Sequence, residues 1–300
     1  MRTVYLGTSD FAVAVLERLA ASPHRPLLVV TRPDRPRGRG RKVGPPPVAE
    51  AAGRLGVELF QPESVNDEDA LARIAEAEPE VVCICGFGAL LKEPLLSRYE
   101  MLNVHPSLLP RWRGAAPIER AVEAGDEETG VTIMRPTEAF DAGPVCLQRA
   151  ERIWPDDDYG SLAGRLADLG GELLVEALDT RPACREQPEE GVTYASKIGR
   201  EERRLDPHRT ADELERRVRA LTPQVGVYVE LPSGERLGVR RAALAPTSEL
   251  EPGELAVREG RLLYGAAPGA LELLEVQPEG KRPMPAAAWL RGHRDRLAGG

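Results

Sequence analysis

Residues 3–31 read TVYLGTSDFAVAVLERLAASPHRPLLVVT, and the hydrophobic period changes twice within them. TVYLG is a short apolar run of the kind a buried strand needs. GTSD follows, whose Gly, Thr, Ser and Asp could cap a helix and bind a small anion or a hydroxyl. FAVAVLERLAAS then carries its apolar residues at helical spacing. PLLVVT returns to a continuous apolar run. Strand, helix and strand within one short stretch is the unit that builds a parallel sheet.

The same alternation continues outward. PPPVAEAAGRLG (45–56) opens on prolines and closes on Gly56, which predicts a helix. VELF and VVCICGF (81–87) read as strands, the second buried on both faces. DEDALARIAEA (67–77) reads as a helix between them. MLNVH (101–105) is a further strand and APIERAVEAGD (116–126) a further helix. GVTIM and PVCLQRAER (144–152) form a late strand pair, and residues 161–180 a long amphipathic helix. The expected class is therefore α/β with a mostly parallel sheet, over residues 1–180. Residues 181–202 lack periodicity, carry Pro182 and Pro188, and read as a surface linker. From 203 to 300 one helix (ADELERRVRAL) leads into short strand-like runs separated by Gly and Pro turns, which predicts a small β-barrel.

Composition bounds the function. The chain has 300 residues, 42% hydrophobic and 29% charged, with net charge −8. That balance argues against a protein coated in nucleic acid. One run reverses it: TRPDRPRGRGRK (31–42) sets six basic residues against Asp34. Such a cluster is either a local anion site or a solvated basic loop. No window reaches the roughly 18 uninterrupted apolar residues that a membrane helix needs, and no secretory leader pattern opens the chain. A cytoplasmic protein with no membrane association is expected. Cys83 and Cys85 alternate on one strand without further ligands at metal spacing, and so read as buried thiols. Cys146 and Cys184 read as isolated, with no disulfide framework.

The densest chemistry lies in NVHPSLLPRWRGAAPIE (103–119). Asn103 and His105, two apart on a strand, share a face at the strand's carboxyl end. Ligands of parallel sheets bind there. An amide donor beside an imidazole can stabilise a developing oxyanion or move a proton; the same pair can also simply fix the following turn. Pro106 and Pro110 bracket a stiff SLL segment. Trp112 is open to two readings, a stacking platform or a core residue. Asp141, in EAFDAGP, sits in a turn that the topology can return to the same sheet edge. No activated serine or cysteine accompanies these groups, which favours direct group transfer over a covalent intermediate. GTSDFA lacks GxGxxG, so no nicotinamide cofactor is expected.

These stretches resemble the 10-formyltetrahydrofolate-dependent formyltransferases: NVHPSLLPRWRGAAPI above all, with GTSDFA, PDRPRGRGRK, TYASKI, ADELERRVRALTP and LEVQPEGKRPM in order. The likeness covers nearly the whole chain and is nearest to the members that act on methionyl-tRNA. It implies a Rossmann-like catalytic domain followed by an OB-like barrel. It implies that Asn103, His105 and Asp141 are catalytic, and that Ser107, Leu108, Leu109 and Pro110 contact folate. Gly86, Phe87 and Gly88 fall where the pterin pocket is lined. It implies that Arg35, Arg37, Arg39, Arg41 and Lys42 engage the initiator tRNA. The co-substrate would be 10-formyltetrahydrofolate, with no metal, and the protein a monomer. Sugar-nucleotide N-formyltransferases share the catalytic motif and are the alternative. Family members usually read GLDTG around the aspartate, so Phe140 and Ala142 are departures.

Overall fold

The structure, a computed structural model, describes residues 1–37, 42–246 and 250–293. The chain divides into two compact units. The first comprises Met1–Pro117, Glu128–Arg152 and Ala163–Ala195; the second comprises Ile118–Glu127, Ile153–Leu162 and the chain from Ser196.

A seven-stranded sheet forms the first unit. Its strands are β1 (Thr3–Gly7), β2 (Pro26–Val30), β3 (Glu58–Phe60), β4 (Val81–Cys85), β5 (Glu100–His105), β6 (Glu128–Met134) and β7 (Val145–Arg152). The order is β7-β6-β5-β4-β1-β2-β3. The strands from β3 to β5 are all parallel; β6 runs antiparallel to β5, and β7 antiparallel to β6. The chain leaves β1 toward β2 and β3, then crosses to β4 on the other side. That reversal opens a crevice beyond the carboxyl ends of β1 and β4.

Local signals set the helices. In α1 (Asp10–Ala20) the Ser9 hydroxyl accepts from the Ala12 N–H at 3.3 Å. In α2 (Pro47–Leu55) Pro occupies the first turn, and Gly56 ends the helix at φ 63°. The third is α3 (Glu68–Glu76). One apolar cluster joins Val4, Leu6, Leu28, Val30, Ile74, Val82 and Leu95. Leu6, Leu28 and Leu95 are essentially inaccessible, and each such side chain contributes about 1.5–3 kcal/mol. Cys83 and Cys85 are buried as expected, and burial pushes both thiols up to about 12.

In the second unit, α4 (Pro117–Ala124, all but its first residue) and the start of α5 (Tyr159–Thr180) accompany an antiparallel sheet. Its strands are β8 (Val227–Glu230), β9 (Arg236–Leu244), β10 (Leu255–Arg258), β11 (Arg261–Gly265), β12 (Ala270–Pro278) and β13 (Met284–Pro285). They lie in the order β8-β9-β12-β11-β10, with β13 beside β12. Helix α6 (Ala211–Leu221) packs on β9, and a reciprocal cap starts it: Thr210 Oγ1 accepts from Glu213 N–H at 3.2 Å, and Glu213 Oε2 accepts from Thr210 N–H at 2.9 Å. Buried Arg217 on α6 donates through Nε to Glu123 at 2.8 Å; Arg120 joins Glu123 and Glu202 at 2.8 and 2.7 Å. Removing one partner of such a network leaves a charge uncompensated, at a cost of about 3–5 kcal/mol where it is fully buried.

The structure corrects the reading of two cysteines. Cys146 and Cys184 are bonded to each other across a sequence separation of 38. Val145 and Arg185 exchange both backbone hydrogen bonds at 2.8 Å, which sets their neighbours 146 and 184 opposite one another. Spacing could not reveal this, because the pairing depends on where the segment after α5 folds back. Protein purified and denatured without reductant should alkylate at two cysteines, and at four after reduction. Four labels before reduction, counted by mass spectrometry, would refute the bond.

Candidate active site

Strand β5 delivers Asn103 and His105 to the carboxyl edge of the sheet. It is paired on both sides: Asn103 lies opposite Ile84 and Met134, and His105 opposite Thr132. His105 is 4% exposed. Its Nε2 lies 2.9 Å from the Trp112 carbonyl oxygen. A carbonyl only accepts, so Nε2 carries a hydrogen. Nδ1 is then the nitrogen left for chemistry, and it faces Asp141 Oδ2 at 3.7 Å. That gap is too long for a direct hydrogen bond and leaves both groups able to share a third partner. Among the described residues the Asn103 amide makes no hydrogen bond, so its donors remain available to a ligand.

Asp141 reaches this edge on the loop between β6 and β7. Its backbone is left-handed at φ 48°, uncommon for a residue other than glycine. Its carboxylate accepts from the Gly114 N–H at 2.9 Å. Both neighbouring glycines are needed for space: a Cβ at Gly143 would run into the Arg135 carbonyl oxygen, and one at Gly114 would meet the Ala195 oxygen at 2.6 Å. Phe140 is 64% exposed and Ala142 half-buried. These two departures from the family pattern therefore face outward more than into the core.

The SLLP segment is braced from beneath by a residue that sequence reasoning missed. Thr132, fully buried, donates to the Ser107 carbonyl at 2.6 Å and accepts from the Leu109 N–H at 3.2 Å. Gln148 on β7 donates to the Leu109 carbonyl at 2.9 Å and to the Thr132 hydroxyl at 2.8 Å. Ser107 Oγ donates to the Arg111 carbonyl at 2.7 Å, closing the loop on itself. Ser107 and Leu109 are buried; Leu108 and Pro110 are half-buried. Only the position of Thr132 opposite His105, and of Gln148 opposite Thr132, could have pointed to them.

Gly86 and Gly88 follow β4, at φ 51° and 68°, beside the end of β5. Phe87 between them is 5% exposed and packs into the apolar cluster, while its carbonyl accepts from Thr8 Oγ1 at 3.0 Å. Trp112 is half-buried at φ 63°, with the Arg111 guanidinium 4.3 Å over its ring. The basic run forms an antiparallel ribbon, Arg35–Arg37 with Lys42–Gly44, soon after the end of β2. Arg35 is exposed there. Of Arg37 and Lys42 the backbone is described, and Arg39 and Arg41 lie outside the described residues. Among the described residues no group of three or more His, Cys, Asp or Glu is placed to hold a metal ion, and no helix is long and apolar enough to cross a membrane.

Residues 1–178 match the formyl transferase family, and residues 197–294 match the formyl transferase C-terminal domain. The chain belongs to the formyl transferase family. It is 44% identical to the methionyl-tRNA formyltransferase of Methylococcus capsulatus, over 98% of this chain and 97% of that protein. It is likewise 44% identical to the methionyl-tRNA formyltransferase of Thermus thermophilus, over 98% of this chain and 96% of that one. Among solved structures, HypX from Aquifex aeolicus in complex with tetrahydrofolic acid matches with TM-score 0.65 at 20% identity, over all of this chain and 48% of that one. WlaRD, a sugar 3N-formyl transferase, matches with TM-score 0.66 at 15% identity, over 94% and 99%. At those identities the two structures speak to the fold.

Thr132→Val keeps the side chain's shape and leaves the Leu109 N–H without its acceptor. It should destabilise the protein by about 1–3 kcal/mol in denaturant titration. A change under roughly 0.5 kcal/mol, the scatter typical of surface substitutions, would remove Thr132 from this role.

Proposed function

We propose that this protein transfers the formyl group of 10-formyltetrahydrofolate to the α-amine of methionine carried on initiator tRNA, acting as a cytoplasmic monomer. The observation that carries the proposal is the meeting of Asn103, His105 and Asp141 at one sheet edge. It occurs in a chain similar over both domains to methionyl-tRNA formyltransferases. Residues 1–180 supply the chemistry together with the segment to Ala195 that packs on them, and 203–300 engage the tRNA.

The amine nitrogen bonds to the formyl carbon, and the bond from that carbon to the folate nitrogen breaks. In between, the formyl oxygen carries negative charge. The free Asn103 amide donates to that oxygen, and so does protonated His105. Asp141 Oδ2 lies 3.7 Å from His105 Nδ1, close enough for both to meet one bridging partner. It also accepts the amine's proton through a water, and the departing folate nitrogen takes up a proton in turn. Ser107 to Pro110 form a stiff wall for the folate. Gly86 and Gly88 keep side chains away from the adjacent crevice.

For the tRNA, Arg35, Arg37, Arg39, Arg41 and Lys42 offer charge to backbone phosphates, an attraction that salt weakens. Unpaired RNA ends suit such a ribbon, because their bases are accessible.

Protein incubated with 10-formyltetrahydrofolate should formylate methionyl-tRNA and leave an amino-sugar nucleotide unmodified; the reverse outcome would assign it to sugar-nucleotide chemistry. Asn103→Ala should lower kcat by about 10²–10³, measured at saturating substrates. Replacing Arg35 and Arg37 with Gln should raise KM for the tRNA and flatten its salt dependence by roughly one phosphate contact per residue. An unchanged KM and salt slope would exclude the ribbon from tRNA binding.

A further inference from the structure

Gln187 lies in the stretch whose sequence reads as a surface linker, and nothing in its spacing marks it. In the folded chain its side-chain amide is saturated. Nε2 donates to the Asp141 carbonyl at 2.8 Å and to the Gly143 carbonyl at 2.8 Å. Oε1 accepts from Arg113 Nε at 3.0 Å and from Arg113 Nη2 at 2.7 Å. Two donors and two acceptor sites are all an amide has.

These four bonds join the two segments that define Asp141. The Asp141 backbone sits in a left-handed conformation, which is unfavourable for a residue other than glycine and persists only where neighbours over-determine it. Two bonds from one NH2 group, to carbonyls two residues apart, hold that turn closed. On the other side, Arg113 directly precedes Gly114, whose N–H binds the Asp141 carboxylate. Arg113 also follows Trp112, whose carbonyl holds His105. The main chain of Asp141, its carboxylate and the imidazole are thus tied into one ring through Gln187 and Arg113.

The segment carrying Gln187 is itself anchored at several points. Cys184 is bonded to Cys146, and Arg185 pairs with Val145. Further along, Thr193 Oγ1 accepts from the Trp112 N–H at 2.8 Å, and Tyr194–Ala195 pairs with Arg113–Gly114. Residues 184–195 form a strap laid across the aspartate's loop.

We infer that Gln187 is a positioning residue for the transfer reaction, which holds the carboxylate of Asp141 in register with His105. Neither glutamate nor leucine reproduces all four bonds. A glutamate at 187 could accept from Arg113, yet would set an anionic oxygen against two carbonyl oxygens. A leucine would fill the space and leave both carbonyls and the guanidinium unmet. The inference rests on the formyl-transfer function proposed above.

The test compares Gln187→Glu and Gln187→Leu with the parent, alone and combined with Asp141→Asn, at a temperature where circular dichroism shows every variant folded. Displacement of a reacting group by about 1 Å costs up to roughly 10²-fold. Each single variant should therefore lose about 10- to 100-fold in kcat on methionyl-tRNA, with KM for both substrates within about threefold. Residues acting as a unit are non-additive. In the Asp141→Asn background the same changes should thus cost no more than about twofold. An equal loss in both backgrounds, or kcat near that of the parent, would overturn the inference and make Gln187 a packing residue. Hydrogen–deuterium exchange gives a readout independent of turnover. Peptides covering 113–115 and 141–145 should exchange faster in Gln187→Leu, with the β1 and β4 peptides unchanged; no local change would also overturn it. A parent inactive on methionyl-tRNA would defeat the proposed function, and the exchange result would still decide the role of Gln187.

Discussion

The site depends on the pairing of β5 with strands of opposite sense on its two sides. On one side β4 runs parallel, so the ends of both strands reach the same edge. On the other, β6 runs antiparallel and sets Thr132 across from His105. A slip of one residue would turn Asn103 and His105 to the opposite face and remove Thr132 from beneath the SLLP loop. Burial holds the register: Leu102 and Val104, which alternate with Asn103 and His105, are almost inaccessible. Apolar packing on alternating positions of β5 thus fixes where the polar ones go.

Around that strand, the loops carry unusual backbone. Trp112 and Asp141 both have positive φ, and both are held by hydrogen bonds from other segments. The Trp112 carbonyl is presented to the imidazole and the Asp141 carboxylate to the Gly114 N–H. In each case an unfavourable local conformation aims a group that a relaxed one would point elsewhere. The restraint comes largely from residues 184–195, which lie far along the chain from both loops.

The remaining pieces follow from the same edge. The basic ribbon begins soon after β2 ends, and Gly86 and Gly88 follow β4. Parallel strands bring all of these toward one rim because each crossover returns the chain to the opposite end before the next strand begins. Two solved structures of low sequence identity share the fold over most of this chain. The second unit is organised differently, by a capped helix on an antiparallel sheet and by the Arg217–Glu123–Arg120–Glu202 network.

Much of this was legible in the sequence. The strands and helices could be read because period, caps and prolines act within a few residues. Helix α6 covers the ADELERRVRAL stretch that reads as a helix, and Gly56 ends α2 in a left-handed conformation that favours glycine. The Asn–x–His spacing likewise sets two side chains on one face by strand geometry alone. The alternating topology already offered Asp141 a return to the edge that carries His105; the brace from Thr132 and Gln148, the Cys146–Cys184 bond and the clamp by Gln187 were not legible. Each joins segments whose approach depends on sheet order and on the path of a loop, and many partners are equally compatible with the local pattern. A threonine on a strand, a glutamine in a proline-flanked stretch and two distant cysteines have no periodicity of their own. The sequence by itself determined the elements and the chemical groups at the end of β5. Only the tertiary structure decided which distant residues hold those groups in place, because that choice is made by packing between segments and not within them.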